Sequence, residues 1–378
     1  MRNRVSARNS CFFGIVTPYS RDMVESLVAL GLRHGPAPSQ RTARRVVRGA
    51  IPPVIAVTAA GGSGLRRPPI PPAKKPRLSG GARGQTRMET DIARRALETT
   101  APFLLSQAQL GRYIWPVDNA LLVIAITHAN IEPILRSPEL NLAYATYDHP
   151  PPDDLRRPIS VNALAQSLGL PFETIRRQAG RLCRLGVCRT TPRGLIIPQW
   201  LLNIPPYRLA CEATYAGLGE LYDRLTAIGA IDAPDFRQAW PHKPPLRAAG
   251  RASVDYLLRM VESAAGSLGD PLGSLAWLQV LALSRADAEG GPLTPVRLAR
   301  VSKALGSPQE TVRRRLNHLV DIGVCSWTRE GLVISQAHLD RPEIARLADR
   351  NLVHVRRLYA GLAQLCPQIP AADAASAA

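Results

Sequence analysis

Two stretches decide how this chain is read: Leu168-Gly169-Leu170-Pro171-Phe172-Glu173-Thr174-Ile175-Arg176-Arg177 and Leu305-Gly306-Ser307-Pro308-Gln309-Glu310-Thr311-Val312-Arg313-Arg314. They stand 137 residues apart, and the register extends without a gap over Pro158–Ile228 and Pro295–Leu365. Gly186-Val187-Cys188 falls on Gly323-Val324-Cys325, Gly194-Leu195 on Gly331-Leu332, Leu221-Tyr222 on Leu358-Tyr359, and Leu225 on Leu362. Similarity that holds register through helix, turn and hairpin signals alike marks an internal duplication.

In the first copy Val161, Leu164 and Leu168 recur at spacings of three and four, which predicts a short amphipathic helix. Gly169 supplies the positive φ that ends it. Pro171 suits the first turn of a second helix, and Glu173 suits its positive N-terminus. Along that helix Ile175, Ala179, Leu182 and Leu185 share one face, and Glu173, Arg177, Gly180, Arg181 and Arg184 the other. Two helices joined by a tight glycine turn make a helix-turn-helix. Two apolar runs follow, Val187–Thr190 and Leu195–Pro198, around Thr191-Pro192-Arg193-Gly194; these predict a hairpin with Gly194 at positive φ. The second copy repeats the plan with Thr328-Arg329-Glu330-Gly331 at the tip. Leu121–Ile126 and Leu275–Leu283 are expected to pack as helices behind each motif, with Tyr207–Ile228 and Glu343–Leu365 as long helices after it. Copy one has an extra Pro- and Asp-rich stretch, Ser137–Arg157, expected as a loop. Gly229–Arg251, with four prolines, reads as a linker.

A helix-turn-helix followed at once by a basic-tipped hairpin resembles the winged-helix class, over about 158–202 and 295–339. The expected fold is therefore mainly α with small β wings: two tandem winged helix-turn-helix domains, at 88–228 and 252–366. The string Glu-Thr-Ile-Arg-Arg at 173–177 is similar to the recognition helix of the cyclic-AMP receptor/fumarate–nitrate regulator family. In that family a Glu and an Arg four residues later reach base edges in the major groove. The resemblance places those roles on Glu173 and Arg177, and on Glu310 and Arg314. The chemistry fits, since a carboxylate accepts from cytosine N4–H₂ and a guanidinium bonds guanine O6 and N7 together. The family's cyclic-nucleotide β-roll has no counterpart, because no run of short alternating strands precedes copy one.

The plain alternative is an i,i+4 ion pair of Glu173 with Arg177 on a solvated helix, worth about 0.3–0.5 kcal/mol. Against it stand further groups in both copies: Thr174 and Thr311, Arg176 and Arg313, Arg181 and His318, and the hairpin tips Arg193 and Arg329. Several cations on one helix face beside a cationic hairpin suit phosphate clamping. Asp321 and Glu330 make copy two less favourable to phosphates.

Charge is concentrated at the start of the chain. Of 378 residues, the first 87 hold 16 Lys/Arg against Asp22 and Glu25, while the rest hold 32 basic and 27 acidic side chains. A uniformly cationic protein is excluded. Residues 1–87, rich in Pro, Gly and Arg, lack sustained periodicity and cannot offset the cost of ordering. They are expected to be unstructured, or to precede a start at Met88, rather than to form a nuclear address, transit peptide or DNA-binding arm. A tail at 367–378 is expected to be unstructured as well. No apolar run approaches the ~18–20 residues that span a bilayer. Six cysteines without a pairing framework suit a reducing compartment. Cys188 and Cys325 fall at equivalent positions and are expected to be buried packing residues.

No nucleophile–base pair, zinc set or phosphate-binding glycine loop occurs, so no enzyme activity, metal or cofactor is expected, and no effector is named. The sequence points to a sequence-specific double-stranded DNA-binding protein, most simply a cytoplasmic, nucleoid-associated transcriptional regulator. Alternatives are a replication initiator or chromosome-partition factor and, in another class, a winged-helix module that docks proteins. Apolar stripes on the long helices are expected to pack together as an intramolecular pseudo-dimer, one chain covering roughly 15–20 base pairs. Self-association into dimers of chains is a further possible partner interaction, and membrane binding is not expected.

Overall fold

The structure is a computed structural model, and it describes residues 80–110, 117–240, 243–287 and 291–365. It is mainly helical, with two small antiparallel sheets. Helix α1 spans Gly80–Leu110 and α2 Val117–Asn130, followed by the short α3 (Glu132–Arg136) and α4 (Pro138–Ala143). Then come α5 (Val161–Leu168), α6 (Phe172–Arg184), the hairpin β1 (Arg189–Thr191) and β2 (Gly194–Ile196), and the long α7 (Pro205–Ala227). The second series is α8 (Leu246–Leu268), α9 (Pro271–Asp287), α10 (Leu298–Leu305), α11 (Gln309–Asp321), β3 (Ser326–Trp327), β4 (Leu332–Val333), α12 (Gln336–Leu339) and α13 (Pro342–Ala363). At the offset of 137, α5 coincides with α10 and α6 with α11, residue for residue.

Local chemistry accounts for this repetition. Ser160 caps α5, its hydroxyl accepting from the Ala163 amide at 3.1 Å. Gly169 and Gly306 end the shorter helices at φ 61° and 62°. Pro171 and Pro308 occupy the cap positions just before α6 and α11 rather than lying inside their first turns. Ile175, Ala179 and Leu182 are buried under α6, and Val312, Leu316 and Leu319 under α11.

Each hairpin gains a third partner that its own sequence does not announce. Ile159 and Leu195 exchange backbone hydrogen bonds of 3.1 and 2.8 Å, and Val296 and Leu332 exchange bonds of 2.8 and 2.9 Å. This explains the glycines at the tips. Gly194 (φ 134°) and Gly331 (φ 148°) lie so near that strand that a Cβ would stand 2.3 Å from the Ile159 carbonyl oxygen and 2.5 Å from that of Val296. Behind copy one's hairpin, buried Asn130 accepts from the Ile197 amide at 2.8 Å and donates to the Leu195 and Arg157 carbonyls at 3.0 and 2.8 Å.

The two series do not form separate cores. Helices α1, α7, α8 and α13 pack into one platform, and α1 lies against α9 and α13 of the second series. One apolar cluster runs through α1, α7, α8, α9, α10, α11 and α13, whereas α2, α5, α6 and their hairpin enclose a smaller one. Polar ties cross the seam: Arg285 to Glu98 at 2.8 Å, Thr100 to Asn351 at 3.2 Å, and Gln109 to the Ala304 carbonyl at 3.1 Å. The stripes of α7 and α13 touch where the equivalent residues Tyr222 and Tyr359 stack edge-on with centroids 5.5 Å apart and the Tyr359 hydroxyl donates to the Leu218 carbonyl at 2.8 Å. Most of each stripe packs instead on α1 and α8.

Three expectations change accordingly. The 229–251 stretch is packed rather than a free linker: Ala230, Ile231 and Phe236 are buried, and α8 begins at Leu246. Gly229, at φ 69°, follows the end of α7 and Pro245 caps α8, a pattern that also reads as a linker when burial is unknown. The Ser137–Arg157 stretch contains α4 and a 3₁₀ turn at Asp153–Leu155. Helix α1 opens at Gly80, inside the segment expected to lack structure, and the rest of that segment and the 367–378 tail lie outside the described residues.

Two outcomes follow from this packing. Gly194→Ala or Gly331→Ala should cost at least about 1–3 kcal/mol, since backbone at positive φ and backbone crowding both oppose a side chain; denaturant titration measures it. A chain of residues 243–378 leaves the α1-facing sides of α9 and α13 uncovered, so it should lack the cooperative thermal transition that circular dichroism detects for residues 80–378.

Candidate nucleic-acid interface

The outward face of α6 is built by its own amphipathicity. With Ile175, Ala179 and Leu182 fixed inward, Phe172, Glu173, Arg176, Arg177, Arg181 and Arg184 are exposed, and Thr174 is half-buried. On α11, Gln309, Glu310, Arg313, Arg314, Arg315, Asn317 and His318 are exposed, with Thr311 half-buried. Arg193 and Arg329 are exposed at the hairpin tips.

The carboxylates choose the nearer partner. Glu173 accepts two hydrogen bonds from Arg176, at 2.8 and 2.7 Å, and Glu310 accepts from Arg313 at 3.0 Å. Arg176's hydrogen bonds hold the Glu173 carboxyl below its ordinary pKa, and the carboxylate in turn raises the Arg176 guanidinium. The i,i+4 pair of Glu173 with Arg177 is not formed. Arg177 and Arg314 therefore have no hydrogen-bond or ion-pair partner among the described residues, and both point from the same helical turn as a neutralised Glu–Arg pair.

The two copies differ along the rest of the face. In copy two Arg315 pairs with Asp270 at 3.3 Å. Asn317 accepts from the Trp327 indole N–H at 2.9 Å. The His318 imidazole lies over Gly269, where an added Cβ would stand 2.9 Å from its Nε2. At matched positions copy one has Arg184 and Arg193 where copy two has Asp321 and Glu330. Arg329 corresponds to Pro192, so the two basic tips occupy different places in otherwise equal turns, each closed by Thr191 or Thr328 donating to the Gly194 or Gly331 carbonyl. An open groove of about 620 Å³, lined by Pro295, Arg297, Ala299, Arg300 and Glu330, runs beside the second hairpin.

Sequence reasoning left out Arg184 and Arg189 as site residues. Both are exposed, and Arg189 reaches Asp153 of the insertion at 3.6 Å. The cationic, outward half of the α6 period signals Arg184; only the hairpin's place beside α6 signals Arg189. Cys188 and Cys325 are buried, and burial pushes both thiols up to about 12. Cys183, part-exposed, sits 3.5 Å from the Thr190 hydroxyl. No group of three or more His, Cys, Asp or Glu side chains is placed to hold a metal among the described residues. Nor, among these residues, is any helix long and apolar enough to cross a membrane. Compared with family profiles, curated proteins and solved structures, the chain matches none.

Burial orders the thiols. Of the four described cysteines, Cys183 should react first with a maleimide under native conditions, while Cys188, Cys211 and Cys325 wait for unfolding; peptide mass spectrometry reads the order.

Proposed function

We propose that this chain binds double-stranded DNA sequence-specifically through two winged-helix units, acting as a transcriptional regulator in the cytoplasm. One observation carries the reading. Two helices equal at an offset of 137 each present an unpaired arginine, Arg177 or Arg314, beside a Glu–Arg pair and a hairpin with a basic tip. A helix of this kind fits the major groove, where an unpaired guanidinium bonds guanine O6 and N7 together. Glu173 and Glu310, held by Arg176 and Arg313, keep acceptor capacity for a cytosine N4–H₂, and Thr174 and Thr311 lie alongside. Arg181, Arg193, His318 and Arg329 flank these helices where phosphates pass, and such contacts position without specifying sequence.

The site is double because the fold is double. Tyr222 against Tyr359 puts equivalent residues in contact, as expected near a pseudo-twofold axis relating the two reading helices within one chain. A second copy of the chain is then not required for two half-sites, although dimers of chains remain compatible with the surface. Cation content makes copy one the stronger anchor: Arg184 and Arg193 oppose Asp321 and Glu330 at matched positions.

The test is selection of bound duplexes by the full chain, followed by titration at several salt concentrations. Affinity should fall steeply with salt through counterion release. Arg177→Ala should weaken specific binding by about 1–3 kcal/mol and relax preference at one base pair. Arg193→Ala should instead weaken all sequences about equally and reduce the salt slope by about one. Affinity and selected motif both unchanged in Arg177→Ala would remove α6 from the reading role, and salt-insensitive binding would favour a protein-docking module.

A further inference from the structure

We propose that the two half-sites differ at one defined base pair, because Phe172 selects thymine where Gln309 selects adenine; this rests on the DNA-binding reading above. Phe172 and Gln309 are the first residues of α6 and α11, at matched positions. The Phe172 ring is 49 % exposed on a surface otherwise made of charges, and it makes no ring or cation–π contact among the described residues. Gln309 is exposed, and its amide has no hydrogen-bond partner among those residues. About half of Phe172 and the amide of Gln309 are left facing outward.

The difference between copies concentrates at this position for a structural reason. The reading residues that follow are alike in chemistry: Glu173 and Glu310, Thr174 and Thr311, Arg176 and Arg313, Arg177 and Arg314. Farther along, the protein itself engages two of the diverging copy-two groups. Arg315 is held by Asp270 and Asn317 by Trp327, while His318 lies against Gly269 and stays exposed, available to phosphate. Their counterparts in copy one are Gln178, which is half-buried, Gly180, which has no side chain, and Arg181, an exposed cation with no ion-pair partner among the described residues. Arg184 and Asp321 differ as well but stand at the far helix ends; at the helix starts, the end of a recognition helix that meets base edges, unlike and unengaged groups also reach outward.

The base edges then decide what each group can take. In the major groove the apolar feature on offer is the thymine C5-methyl, and an exposed phenyl ring gains by covering it. A glutamine amide offers one donor and one acceptor side by side, which match adenine N7 and N6–H₂. Phe172 can make no such pair, and Gln309 has no apolar face comparable to a phenyl ring. An inverted repeat read by this chain should thus be broken at the base pair facing these residues.

The experiment is selection from a random duplex library with the full chain and with Phe172→Gln. The wild-type chain should select an inverted repeat with thymine at one position of one half-site and adenine at the matched position of the other. Phe172→Gln should make the halves alike there, with preference for adenine over thymine at that position changing by roughly tenfold or more. Because residue 172 is exposed, the variant should keep the circular dichroism and melting of the parent. Half-sites alike at every position in the wild type, or a motif unchanged by Phe172→Gln, would overturn the inference while leaving DNA binding intact. Failure to select any sequence would overturn both.

Discussion

Helix α1 buries Ala93, Ala96, Leu97, Ala101, Leu104 and Ala108 in a cluster that also contains residues of α9 and α13, elements of the other copy. Burying a large aliphatic side chain contributes about 1.5–3 kcal/mol, so this seam is worth more than a surface contact. Its polar ties are few: Asn351 accepts from Thr100 and from the Tyr256 hydroxyl at 2.6 Å, and Glu98 accepts from Arg285. With α1 in place, α9 has a support on which α10, α11 and the second hairpin can pack. The duplication is therefore sequential in the chain but interlaced in space.

A second constraint holds copy one to the platform. The first turns of α8 carry Arg247 and Arg251, both buried without a carboxylate partner among the described residues. Backbone and amide oxygens satisfy them instead. Arg247 donates to the Tyr147 and Leu202 carbonyls and to Asn203, and stacks 4.5 Å from the Tyr147 ring centroid. Arg251 donates to Asn141 and to the Tyr144 carbonyl, and burial pulls its guanidinium down to about 10. Removing two cations from water is costly, and the dense set of acceptors from the copy-one insertion and from Leu202 and Asn203 after the hairpin offsets it. The insertion is a bracket between the first motif and α8, which fixes where α6 stands relative to the platform.

The candidate interface follows from these supports. An ion pair between exposed Glu173 and Arg176 adds little stability, but it consumes one arginine in each copy and leaves the next one unpaired. Copy two engages two more polar groups on its own corner and hairpin, Arg315 with Asp270 and Asn317 with Trp327. Equal backbones thus present unequal surfaces, with copy one more cationic and more open.

The local code was legible in the sequence because it acts within a few residues. Helix periods, the Gly169 and Gly306 turns and the hairpin tips depend on neighbours in the chain, and the offset of 137 marked which helices correspond. The exposed faces of α6 and α11 were legible too, since fixing Ile175 or Val312 inward turns the arginines outward. What only the tertiary structure decided involves groups distant in the chain. These include the strand residues Ile159 and Val296 and the burial of Arg247 and Arg251 in what reads as a linker. An apolar stripe on α13 or α7 records that a face must be covered, but not by which helix. Burial against α1 and α8 was settled by shape and by the total apolar area brought together, quantities that no local pattern contains.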